Sequence, residues 1–177
     1  GFEGLGQGDS DRYAVSVLAN LLGGGMSSRL FQEVREKRGL VYSIYAFAQS
    51  FSDSGLFGIY AGTGPEEVSQ LVPVVCEQIR DVTGDVSDEE LDRVRAQLKA
   101  SLLMSLESTG TRADQLGSQL LAYDRVLPLD EVVRELEAVD RAAVRRVAER
   151  VFSSEPTLAA LGPLAHLEPA DAIRARL

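Results

Sequence analysis

Histidine and cysteine, on which zinc sites and many nucleophilic pairs depend, each occur only once in the 177 residues. Because Cys76 has no second cysteine to pair with, the chain forms no internal disulfide, and we expect it in a reducing compartment such as the cytoplasm. One histidine and one cysteine cannot build a usual zinc site of Cys and His ligands. A Ser-His or Cys-His pair would have to use His166, which lies in a proline-flanked segment near the end of the chain. The composition therefore disfavours both kinds of site in this chain.

Long apolar runs and excess positive charge are also missing. No apolar run reaches the roughly 20 residues that a transmembrane helix needs. The chain has 18 Lys and Arg against 27 Asp and Glu, a net charge of −9. A field of that sign repels nucleic acid and anionic membranes, so we expect neither as a partner.

The length suits one compact domain, and we find no linker, low-complexity tract or internal repeat. We therefore predict a single domain over residues 1–177. The chain begins at Gly1 rather than at a methionine, and we expect it to be a piece of a longer polypeptide.

Hydrophobic periodicity and capping residues predict the order of elements. A short strand precedes a helix over about 11–22, and a second helix starts at Ser27 or Ser28 and ends at Gly39. The stretches VYSIYAFAQ and GLFGIYAGT predict a strand hairpin. Capping boxes at Thr63 and Ser87 begin two further helices, and the remaining predictions are helices over 111–123, 129–139, 140–152 and 170–177 and a strand over 157–163. This order predicts an α+β fold, with an antiparallel or mixed sheet packed against a layer of helices.

Three consecutive glycines, Gly23, Gly24 and Gly25, follow the first predicted helix. Glycine-rich loops can cradle phosphates, but this one has neither the G-x-G-x-x-G spacing of dinucleotide-binding proteins nor the Gly-Lys-Ser/Thr ending of a P-loop. We therefore interpret it as a turn or hinge, since glycine tolerates unusual backbone angles and close backbone approach.

The basic run after the glycines has two interpretations. Arg35, Lys37 and Arg38 fall in the last turn of a predicted helix, where cations complement the helix dipole. Alternatively, the corner at Gly39 can aim Arg35 and Tyr42, seven residues apart, at one point in space. A guanidinium fork and a phenol hydroxyl together suit a peptide carbonyl, a carboxylate or a developing oxyanion.

The segment GGGMSSRLFQEVREKRGLVYSIYA resembles the signature of the non-zinc half of the pitrilysin/insulinase family of zinc metallopeptidases, which includes the mitochondrial processing peptidase. The resemblance extends to the helix before the glycines, to the strand GLFGIYAGT and to SDEELDRVRAQLK, and so covers roughly Gly1 to Pro163. It implies one α+β domain of an enzyme whose two halves close around a chamber.

In that family one half binds zinc through an H-x-x-E-H motif and a downstream Glu, and this chain has no such motif. The resemblance therefore implies no metal ligand here and zinc in the complete enzyme. It further implies that Arg35 and Tyr42 reach the zinc site of the other half, where Tyr42 stabilises the tetrahedral intermediate and Arg35 binds substrate. Gly23, Gly24 and Gly25 would line the chamber and contact substrate.

The expected partners are a zinc-bearing N-terminal half or subunit and a peptide or unfolded polypeptide substrate, and a homodimer is an open option. On this interpretation the isolated chain would cleave nothing. Two alternatives stay open: a catalytically inactive structural member of the same family, and a module that binds a peptide along a sheet edge.

Overall fold

The structure is a computed structural model that describes residues 1–177. It contains three strands, a short π-helix and seven α-helices. The bounds in chain order are β1 Phe2–Glu3, α1 Arg12–Gly23, the π-helix Phe31–Glu36, β2 Val41–Ser50, β3 Gly55–Thr63, α2 Val68–Gly84, α3 Asp88–Ser105, α4 Thr109–Tyr123, α5 Leu129–Glu137, α6 Arg141–Phe152 and α7 Ala170–Arg174.

The strands form one antiparallel sheet in the order β1-β3-β2, and β2 and β3 form the predicted hairpin. The register pairs Ile44 with Ala61 and Tyr45 with Tyr60. It shifts between Val41 and Ser43, which is a bulge at the start of β2.

Alternation along the two long strands gives the sheet one covered and one open face. The covered face contributes Ile44, Ala46 and the fully buried Phe57 to the core. Helix α1 packs directly against β2 on this face and is flanked by α3 and α6. The core therefore lies between the sheet and the helices, and the predicted α+β fold with a helical layer is confirmed.

Several helix ends form as their capping residues predict. At the start of α3, the Ser87 hydroxyl accepts from the Glu90 N–H while the Glu90 side chain accepts from the Ser87 N–H, which is the predicted capping box. Asp140 caps α6 through the N–H of Ala143. Gly39 has the positive φ of +63° that ends the helix before β2.

The second helix is not the regular α-helix that the sequence predicts. Over Phe31–Glu36 it widens to a π-helix, and the N–H of Lys37 donates to the carbonyl of Gln32, five residues back. Leu40 is buried and donates to the carbonyl of Val34. Short π-helical turns are uncommon and occur often at functional sites.

The predicted capping box at Thr63 does not form. Helix α2 begins at Val68, after a turn over 65–67, and its first turn has no side-chain cap. The Thr63 hydroxyl instead donates to the Leu40 carbonyl at 2.6 Å. This bond joins the end of β3 to the corner before β2 and orients the Thr63 side chain toward that corner.

The predicted strand over 157–163 is absent. Gly1 and Thr157 exchange two backbone hydrogen bonds of 2.8 Å, but the pairing stops there. The adjacent N–H of Glu3 donates to the Ser154 hydroxyl rather than to another strand. From Thr157 the chain therefore runs alongside β1 only in the direction of Ser154, and residues 158–163 have no partner strand.

Candidate functional site

The segment from Gly23 to Tyr42 connects the end of α1 to the start of β2, and its three glycines have different surroundings. Gly23 is buried, and a Cβ on it would lie 2.1 Å from the Ala46 nitrogen of β2. Gly24 is exposed and Gly25 half-buried. Gly23 thus permits the helix to touch the sheet, while Gly24 and Gly25 form the accessible part of the turn.

Side chains from two helices hold the carbonyl groups of this turn. Gln97 of α3 donates to the Gly24 carbonyl at 3.1 Å. The Ser28 hydroxyl donates to the Gly25 carbonyl at 2.6 Å, and Gln32 donates to the Met26 carbonyl at 2.7 Å. The glycine turn is therefore fixed to α3 and to the π-helix.

Arg29 anchors the same segment to the start of α3. Its Nε and Nη2 donate to the two oxygens of Glu90, each at 2.9 Å, and Nη2 also donates to the Asp85 carbonyl at 2.7 Å. These bonds from Arg29, with smaller contributions from the N–H and the hydroxyl of Ser87, lower the pKa of Glu90 from 4.5 to about 2, against the opposing effect of burial. Arg29 consequently has a structural role.

Lys37 and Arg38, at the end of the π-helix, are bound by a residue of that helix. Lys37 and Arg38 both bind the carboxylate of Glu33, and Arg38 also donates to the Glu33 carbonyl at 2.8 Å. The hydrogen bond from Lys37 and, as the next largest cause, the hydrogen bond from Arg38 lower the pKa of Glu33. Their charge is used locally, as expected for cations in the last turn of a helix.

Arg35 differs from these cations because no carboxylate or carbonyl in the chain accepts a hydrogen bond from it. Its guanidinium carbon lies 4.9 Å from the centre of the Phe31 ring, one helical turn away, in a cation–π contact. The side chain is exposed. Phe31 therefore orders Arg35 while leaving its N–H donors free. The sequence alone did not indicate this contact.

Tyr42 occupies the bulge at the start of β2 and is 72% exposed. Its ring lies over Gly62 of β3, where a Cβ would come within 2.9 Å of the Tyr42 Cζ and 3.0 Å of its hydroxyl oxygen. The hydroxyl makes no hydrogen bond within the chain. The structure thus places Arg35 and Tyr42 on either side of Gly39, both exposed, with free donors and no hydrogen bond between them.

Aromatic rings continue from Tyr42 along the open face of the sheet. Tyr45 and Tyr60 stack with their centres 5.0 Å apart, and Phe47 lies 6.1 Å from Tyr45. Gly58 makes room for the Phe47 ring, since a Cβ there would approach it to 2.3 Å. The alternation of these rings with Ile44 and Ala46 could have predicted the open face.

The residues of this chain do not fit a metal ion. No group of three or more His, Cys, Asp or Glu side chains is arranged to hold one. His166 is half exposed, and its Nε2 lies 3.8 Å from the Glu66 carboxylate alone. No helix is long and apolar enough to span a bilayer.

Comparison with known proteins identifies the family. Residues 1–98 match a family model described as the Peptidase M16 inactive domain. The chain is 40% identical to an uncharacterized zinc protease of Streptomyces coelicolor, over 93% of this chain and 36% of that protein. It is also 40% identical to an uncharacterized zinc protease of Bacillus subtilis, over 92% of this chain and 40% of that protein. It is 37% identical to the alpha subunit of the mitochondrial-processing peptidase of Neurospora crassa, over 85% and 29%.

Solved structures share the fold. A chain of complex III from Candida albicans superimposes with a TM-score of 0.89 at 20% identity, over 99% of this chain and 44% of that one. A protease from Helicobacter pylori gives 0.76 at 24% identity, over 85% and 36%.

The chain therefore belongs to the M16 peptidase family, and the resemblance to its non-zinc half is confirmed. It spans about 36% to 40% of the length of the two bacterial relatives.

Proposed function

We propose that this chain is the C-terminal, substrate-contacting domain of a zinc-dependent processing-type peptidase. In this role it supplies Arg35 and Tyr42 to an active site whose zinc is bound by another domain or subunit. Membership of the M16 family and the zinc proteases among its relatives support the peptidase class.

One observation carries the proposal. Within the signature segment Arg29, Lys37 and Arg38 are bound to carboxylates, whereas Arg35 is free. Tyr42 is likewise exposed, with a hydroxyl that no group in the chain uses. Arg35, ordered by the Phe31 ring, and the Tyr42 hydroxyl are therefore both available to a group outside the chain, which is what the proposed role requires.

The chemistry follows from the donors themselves. Hydrolysis of a peptide bond develops negative charge on the carbonyl oxygen, and a donor placed there lowers the barrier. The Tyr42 hydroxyl supplies such a donor, and the Arg35 fork binds a substrate carbonyl or carboxylate. The hydrolytic water would be supplied by the zinc-bearing half.

The accessible glycines complete the proposed contact surface. Gly24 and Gly25 lack side chains, so an extended peptide or unfolded polypeptide can approach their backbone closely. Buried Gly23 supports this turn from beneath, and its own contact with substrate stays a prediction. The required partner is a zinc-bearing half, and a homodimer stays an option.

Reconstitution tests the proposal. We expect the 177-residue chain alone to cleave no unfolded polypeptide, with or without zinc. Together with the zinc-bearing half of the same protein, it should give cleavage that a chelator abolishes and zinc restores.

Turnover by the isolated chain would contradict the assignment. A correctly assembled complex with an intact H-x-x-E-H motif but no activity would favour the inactive structural member instead.

A further inference from the structure

Arg12, the first residue of α1, lies in a cavity of about 310 Å³ that is separate from the Gly39 corner. The cavity is bounded by α1, by the middle of α4 and by the start of α5, and it reaches Ser50 at the end of β2. No residue of the Gly23–Tyr42 segment lines this cavity.

The Arg12 guanidinium has no acceptor in the chain. Its Nε is fully buried and makes no hydrogen bond, and neither Nη donates to the protein. The other arginines that lack an acceptor, Arg35, Arg93, Arg112 and Arg134, are all exposed and can be hydrated. Arg12 is only partly exposed. A buried donor without an acceptor costs about 1–3 kcal/mol, more when charged, so the absence of a partner is unusual.

Two tyrosines hold this guanidinium in place. Its carbon lies 4.5 Å from the centre of the Tyr13 ring and 5.6 Å from that of Tyr123. The Tyr123 hydroxyl donates to the Gln7 carbonyl at 3.2 Å, which fixes the second ring. Since aromatic contacts use the faces of a guanidinium, the N–H groups in its plane stay available.

The rest of the cavity adds donors and no negative charge. The side-chain oxygen of Gln119 accepts from the Leu127 N–H at 2.9 Å, and its amide nitrogen donates to no group in the chain. No Asp or Glu lines the cavity. The nearby Glu131, whose pKa is lowered mainly by Arg125 and to a smaller extent by the charges of Arg134 and Arg12, is held by both terminal nitrogens of Arg125, at 2.9 and 2.5 Å, and makes no hydrogen bond with Arg12. A ligand must therefore bring its own acceptor oxygens.

We propose that the cavity around Arg12 binds a carboxylate group. A single planar guanidinium matches a carboxylate in both charge and shape, whereas a phosphate dianion would call for further positive charge. The carboxylate belongs either to a separate molecule, such as the end of a peptide, or to an acidic side chain elsewhere in a longer polypeptide. The inference does not depend on the proposed peptidase role.

Acetate tests the proposal, with acetamide as the neutral probe of the same shape. The Nε–H resonance of Arg12 and the backbone N–H resonances of the residues that line the cavity are followed in the ¹⁵N-labelled chain, during titration at constant ionic strength near neutral pH; in variants of Arg12 the backbone resonances report binding. We expect a saturable shift with acetate and none with acetamide. Arg12→Met should weaken acetate binding roughly tenfold or more, while Arg93→Met, which removes an exposed arginine, should leave it unchanged.

Arg12→Lys keeps the charge but loses the fork, so weakened binding by this variant supports the proposal even if Arg12→Met does not fold. Equal shifts with both probes, a shift that never saturates, or undiminished binding by folded Arg12→Met would overturn it. Titrating a longer polypeptide that contains the chain separates the sources: a separate ligand leaves the site open to acetate, and an internal side chain blocks it.

Discussion

Arg29 and Arg35 lie six positions apart and have opposite surroundings. The side chains of Arg29 and Glu90 are only 16% and 23% exposed, and each provides the hydrogen-bond partner that the other needs. Arg35 stacks on Phe31 and keeps its donors free. What distinguishes the two arginines is therefore the presence of an acceptor, which sequence position alone does not reveal.

The Arg29–Glu90 pair predicts a pH-dependent contribution to stability. Arg29→Met leaves Glu90 without its cation, and at pH 7 we expect the free energy of unfolding to fall by roughly 2–3 kcal/mol. The folded pKa of Glu90 is depressed to about 2 from 4.5. The contribution is thus fully present above pH 4.5 and is lost as the pH falls toward 2.

Urea unfolding of both proteins between pH 2 and pH 7 measures this difference, which should shrink toward the acid end. Lys37→Met is the matched control, because the Lys37 side chain is 62% exposed and its pair should contribute no more than about 0.5 kcal/mol. A constant difference between wild type and Arg29→Met at every pH would show that Glu90 is not the group responsible.

Backbone packing sets the geometry of the segment from Gly23 to Tyr42. Gly23 brings α1 onto β2, the π-helix follows, and Gly39 turns the chain into the bulge that carries Tyr42. Each step redirects the chain, so the orientation of Arg35 relative to Tyr42 depends on all of them.

Gly23→Ala tests the first of these steps. The added Cβ would lie 2.1 Å from the Ala46 nitrogen, and backbone cannot move aside as a side chain can. We expect destabilisation of about 1–3 kcal/mol, measured by thermal or urea unfolding. Gly117→Ala is the control: it lies inside α4 with open space around it, and should stabilise the protein by roughly 0.5–1 kcal/mol. Equal effects of the two changes would show that α1 and β2 are not in close contact.

Local signals predicted much of this architecture, and two of the failures have a common cause. The Ser87 capping box, the Gly39 turn and the β2–β3 hairpin depend on neighbouring residues, and they formed as predicted. The Thr63 bond to Leu40 and the end of pairing at Gly1 and Thr157 depend on contacts between distant parts of the chain. Arg29 and Glu90 are 61 positions apart, so only the folded chain shows that they pair.

At the scale of the whole molecule, the Gly39 corner offers hydrogen-bond donors that no group in the chain uses. The side chains of this chain do not fit a metal ion, yet Arg35 and Tyr42 stay exposed and unpaired at this corner. On the proposed function, the other half completes the active site across this corner.

The rate of cleavage by the complete enzyme carrying Tyr42→Phe tests the central claim most directly. The change removes one hydroxyl and keeps the ring over Gly62, so Tm should shift by no more than about 2 °C. If Tyr42 donates to the oxyanion, kcat/KM should fall roughly tenfold to a hundredfold. Tyr60→Phe, on the same face of the sheet, should leave kcat/KM unchanged. An unchanged kcat/KM for Tyr42→Phe, with a lowered Tm, would contradict the account and make Tyr42 a structural residue.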